Sequence, residues 1–96
     1  MIVNIKKSNL ENKKMMAIFY DINNKKIKTV HFGANGYSDY TIHKDPERKQ
    51  RYIERHEKNE NWNDPMSAGA LSRYILWNKP TIKESIKDYK KKFGIY

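Results

Sequence analysis

Met15-Met16-Ala17-Ile18-Phe19-Tyr20, Asp21-Ile22-Asn23-Asn24-Lys25-Lys26 and Ile27-Lys28-Thr29-Val30-His31-Phe32 are three consecutive stretches whose reading decides the fold. The first is an apolar run of strand length. The second is turn chemistry, because Asn tolerates the left-handed backbone that a hairpin turn requires. The third alternates, with Ile27, Thr29 and His31 on one face and Lys28, Val30 and Phe32 on the other. Together they predict a β-hairpin over about residues 14–33. Residues 2–6, weakly alternating through Ile2, Val3 and Ile5, could add an edge strand before the polar turn from Ser8 to Lys13.

Beyond the hairpin the pattern changes to helical signals. Gly33-Ala34-Asn35-Gly36 is read as a strand break, and Tyr37 to His43 as an irregular linker. Asp45-Pro46 is a helix start, with Asp45 as N-cap and Pro46 where its missing N–H costs nothing; this helix is expected to reach about Lys58. Asp64-Pro65 repeats the signal and predicts a second helix to about Trp77, with Ala68, Leu71 and Ile75 as its apolar stripe. Gly69 and Ala70 would allow close approach of another helix. Thr81-Ile82-Lys83-Glu84 is a capping box, and Gly94 a natural terminator, which bound a third helix. Its stripe is Ile82, Ile86, Tyr89 and Phe93. The expected fold class is therefore α+β: an antiparallel hairpin region of two to three strands (1–33) followed by three short helices (45–94), in one domain spanning 1–96.

Composition narrows the function classes. There is no cysteine, so disulfides and thiolate metal sites are excluded. No apolar run approaches the ~18–20 residues that cross a bilayer, so no membrane partner is expected. Met1 to Lys7 lacks the charged-then-apolar order of a secretory leader. Lys and Arg number 20 against 11 acidic residues, a net charge of +9, which attracts polyanions. The Asn-, Lys- and Ile-rich usage also fits an AT-rich coding sequence, which would make the charge compositional.

The charge has one pattern suited to phosphate. On the first helix Arg48, Arg51, Arg55 and Lys58 fall at i, i+3, i+7 and i+10, and guanidinium binds phosphate bidentately where Lys is a point charge. The competing reading is a solvated face neutralised by Glu47–Arg51 and Glu54–Lys58 pairs. Lys44, Arg73, Lys83 and Lys87 could extend the basic surface, and Tyr37, Tyr40 and Trp62 are candidates for stacking on unpaired bases. Nucleic acid is thus the expected partner, DNA ahead of RNA, held through phosphates without sequence preference. The last helix offers almost only Lys outward, which cannot read base edges.

Signals for catalysis are weak. The imidazoles His31, His43 and His56 have no metal-ligand spacing, so neither a metal nor a cofactor is expected. A metal-dependent nuclease could be assembled from Asp39, Asp45, Glu47 and Lys49, but any basic domain supplies such a set.

A resemblance adds context. Phe32-Gly33-Ala34-Asn35-Gly36-Tyr37-Ser38-Asp39-Tyr40-Thr41, His43-Lys44-Asp45, Arg51 to His56, Glu60-Asn61-Trp62 and Ala68 to Pro80 together resemble a family of small basic proteins of unassigned function. That family is encoded by large double-stranded DNA viruses of algae and protists, and the resemblance covers about residues 31–94. It implies a protein made in a host cytoplasm or nucleus and carried, in one version, in the virion. It lends no catalytic residues. It supports a protein that neutralises viral DNA and, as the alternative, a virion assembly module that self-associates or docks on acidic protein surfaces.

Overall fold

A computed structural model describes residues 1–96. Three strands, β1 (Ile2–Lys7), β2 (Lys13–Tyr20) and β3 (Lys26–Ala34), form an antiparallel meander in the order β1-β2-β3. Ile18 pairs with Asn4 on one side and Thr29 on the other, which fixes which side chains share a face. The β2–β3 turn works as its residues predict. Asn24 is left-handed (φ 62°), and Asp21 Oδ1 accepts from the backbone N–H groups of Asn23 and Lys25. β1 belongs to the sheet, and its outer edge is closed by the chain's own end: the Val3 N–H donates to Tyr96 O and the Tyr96 N–H to Met1 O. The expected break at Gly33 is two residues early, since β3 continues through Ala34. Gly33 sits at φ 77° where a Cβ would lie 2.6 Å from Leu76, so glycine here lets the third helix press onto the strand.

Four helical elements follow: α1 (Tyr40–His43), α2 (Pro46–His56), α3 (Ala68–Leu71, continuing as a π-helical turn Ser72–Leu76) and α4 (Ile82–Phe93). α1 lies inside the segment expected to be irregular. Asp39 caps it by accepting from the Thr41 N–H and hydroxyl, and Lys44, left-handed, closes it onto Tyr40 O. Asp45 and Pro46 start α2 as expected, and its helical residues end at His56 rather than near Lys58. The Asp64-Pro65 start is wrong by three residues. Asp64 instead closes a turn, accepting from the Ser67 N–H at its carbonyl and from the Met66 N–H at its carboxylate, and Ser67 Oγ caps the helix through the Ala70 N–H. The Trp77 N–H then reaches back five residues to Ser72 O, and this wide turn brings Ile75 and Leu76 side by side into the core. Ala68, expected on the apolar stripe, is exposed as the first residue of the helix; Ala70 is buried instead. In α4 Thr81 Oγ1 caps the helix by accepting from the Glu84 N–H, its hydroxyl donates to the Glu84 carboxylate in place of the reciprocal backbone bond of a full box, and the Gly94 cap is formed.

The core lies between one face of the sheet and α3–α4. Val3, Ala17, Phe19, Val30 and Phe32 meet Leu71, Ile75, Leu76, Tyr89 and Ile95. The Val30/Phe32 face of β3 is therefore the inner one. Tyr89, fully buried, keeps its hydroxyl satisfied by donating to Pro65 O at 2.6 Å, and burial pushes its pKa up.

Candidate nucleic-acid interface

α2 contributes one buried side chain, Tyr52, and rests on the core by its edge. The Tyr52 ring stacks on Trp77 at 4.3 Å between centroids and 3° between planes. His56 covers its other face at 4.4 Å, while His43 lies against Trp77 at 5.3 Å. Burial, and then the Glu60 carboxylate, push the Tyr52 hydroxyl up to about 12. Lys49 is the polar anchor. Its ammonium donates to Asn78 O at 2.7 Å and sits 4.9 Å over the Tyr40 ring; burial first, and Arg73 second, lower its pKa.

That attachment turns the rest of α2 outward. Arg48, Arg51, Arg55 and the following Lys58 are all exposed. The molecule contains two ion pairs, Lys14–Asp39 at 2.6 Å and His56–Glu60 at 3.5 Å. The neutralising pairs Glu47–Arg51 and Glu54–Lys58 are not formed, and Glu54 accepts instead from Gln50. The arginines thus present free guanidinium groups to solvent.

Two of them also line a concavity. A groove of 530 Å³ is lined by α2, the start of α3 and the β3–α1 connection, with Arg48 and Arg55 contributed by α2 and Lys13 and Lys14 by β2. Its acidic groups are already engaged. Asp39, 2% exposed, is held by Lys14 and by α1, and Glu60 accepts from Trp62 Nε1 at 2.9 Å beside His56. Gly69 lies in the groove lining, and a Cβ there would meet Glu60 Oε2 at 3.1 Å. Gly69 therefore admits a carboxylate rather than a neighbouring helix.

The other expected site residues divide. Lys44 is exposed, its ammonium turned back to Thr41 O at 2.9 Å. Lys83 and Lys87 are exposed on α4, outside the groove, and Lys87 shares a separate 320 Å³ depression with Glu84 and Asp88. Arg73 is engaged within the fold. Its guanidinium lies over the Tyr74 and Trp62 rings and donates to Trp77 O at 2.8 Å, and burial lowers its pKa. Trp62 is correspondingly half-buried, with one face taken by Arg73. Tyr40 is half-buried under Lys49. Of the three stacking candidates, Tyr37 alone stands free, 73% exposed at the groove. The residues considered for a nuclease are dispersed: Asp39 is paired to Lys14, Asp45 caps α2, Glu47 is exposed and Lys49 anchors to Asn78. No three His, Asp or Glu side chains gather to hold a metal ion.

The groove itself was not legible in the sequence. Its walls come from β2, α2 and α3, and the one local hint was the pair of small residues Gly69 and Ala70.

Residues 3–56, which carry the sheet and α2, match a family described as of unknown function, DUF5754. No curated protein and no solved structure matches the chain.

Proposed function

Because the chain belongs to this family of unknown function, whose description carries no activity to transfer, we propose from its own surface that it is a small basic nucleic-acid-binding protein that grips phosphates without reading base sequence. One observation carries the reading: Arg48, Arg51 and Arg55 stand exposed on one helix with no carboxylate paired to any of them. Unpaired guanidinium groups cost nothing to recruit, since no internal ion pair has to break, and each can hold a phosphate bidentately. Lys44 and Lys58 extend the same surface, and the net charge of +9 draws the polyanion in. The viral resemblance favours DNA and a place in the infected cytoplasm or nucleus, or in the particle.

The test is fluorescence anisotropy with labelled DNA and RNA of several sequences at about 50 and 200 mM salt. Five phosphate contacts give a log–log salt slope of about −4.5 on duplex, so affinity should fall about 500-fold over that range, equally for all sequences. Replacing Arg48, Arg51 and Arg55 together by Ala should flatten the slope by about 2.7. Absence of binding even at the lower salt would overturn the proposal. It would turn attention to the assembly alternative, which light scattering over a concentration series would reveal as self-association.

A further inference from the structure

Resting on the nucleic-acid reading, we infer that the groove takes a single strand in preference to duplex, with phosphates on Arg48 and Arg55 and an unpaired base against Tyr37. Within the arginine stripe the three side chains are placed differently. Arg48 and Arg55 are seven residues apart, about 10.5 Å along the helix, and both line the groove, whereas Arg51 lies outside it. A helix laid on duplex would use all three alike. The two groove arginines come from α2 and share the lining with Lys13 of β2, while Lys14, Asp39 and Glu60 are already engaged with partners in the protein. The uncancelled charge of the groove lining is therefore positive, as a threaded phosphate backbone needs.

Size and ring exposure point the same way. A 530 Å³ groove is of the size that holds a small ligand such as one nucleotide unit, and the paired, stacked bases of a duplex cannot enter it. A single strand can turn a base inward. The ring available to meet it is Tyr37, which stacks on no other ring of the protein. Tyr52 also lines the groove but is covered on both faces by Trp77 and His56, so it forms wall and not platform.

The experiment compares a labelled single-stranded 12-mer, as DNA and as RNA, with the matching DNA duplex, on the native chain and two variants. Ala68→Trp adds a bulky side chain to the groove wall at an exposed position, leaving every arginine in place. Tyr37→Ala removes the platform. Single strands should bind at least about tenfold tighter than duplex, and each variant should weaken single-strand binding by about tenfold while circular dichroism stays unchanged. Preference for the DNA or the RNA strand identifies which of the two the groove holds. Native-like single-strand affinity in both variants, or duplex binding as tight as single strand, overturns this inference and leaves the arginine reading standing. Loss of all binding at low salt overturns both.

Discussion

Helices α2 (Pro46–His56) and α4 (Ile82–Phe93) are nearly equal in length, each capped by an Asp or Thr side chain, and each basic in its last turn. They differ in what their inner faces offer. α4 sends Tyr89 into the core, with Ile82, Ile86 and Phe93 packed around it. α2 sends in Tyr52 and then relies on a ring stack against Trp77 and the Lys49–Asn78 bond. The comparison teaches that good caps and charge make a helix but do not say what it is for. An apolar stripe commits a helix to the core. A narrow one leaves it on the surface, where its outward residues are free to bind.

The largest effects should come from breaking each attachment. Tyr89→Ala empties a fully buried site and removes the bond to Pro65, so it should cost about 3–5 kcal/mol and lower the urea midpoint of the whole chain. Tyr52→Ala should cost less, about 2–3 kcal/mol, and act locally. Amide exchange is the sharper readout. Protection should be lost in α2 while α4 and the strands keep theirs. Equal loss in both helices would mean that α2 is as much core as α4, and the comparison would fail.

The next effect concerns binding. If α4 lies outside the phosphate surface, Lys83→Ala with Lys87→Ala should change nucleic-acid affinity less than about threefold, although it removes two positive charges. The arginine triple substitution should cost far more. A salt slope flattened by about 1.8 in the lysine pair would instead make α4 an equal partner.

Local chemistry was what the sequence disclosed. The Asn24 turn, the Asp45-Pro46 start, the Thr81 cap and the Val30/Phe32 inner face all follow from residues within a few positions of one another. Local chemistry also misleads: Asp64-Pro65 looks like a helix start, yet Ser67 caps the helix and Asp64 closes the turn before it. The arginine stripe was visible from helical spacing, whereas its freedom from Glu47 and Glu54 was not, because rotamers decide whether i,i+4 charges meet. The engagement of Arg73, Trp62 and Tyr40 within the fold was hidden for a tertiary reason. Each is covered by a residue distant in sequence or brought round by a turn, and only the folded chain shows that the covering exists.

The smallest effect sits where α2 touches α1. His43 Nδ1 accepts from the Asp45 N–H at 2.9 Å, and Nε2 is buried without a partner, so the neutral ring carries its proton on Nε2. Burial, and then the charge of Arg48, lower its pKa from 6.5, against the opposing pull of Asp45 and Asp39; Lys14 adds to the lowering. The folded chain thus binds fewer protons at this site than the unfolded one. Its contribution to stability is present above pH 6.5 and is lost as pH falls below that value. His43→Asn keeps an acceptor where Nδ1 was and cannot titrate, so the variant's thermal midpoint should fall less between pH 7 and 5 than that of the native chain. Arg48→Ala should raise the His43 pKa toward 6.5, read by NMR titration, because it removes the repulsion α2 imposes. An unchanged His43 titration in that variant would mean that Arg48 points its charge elsewhere, and that the exposed face of α2 is electrically separate from the helix before it.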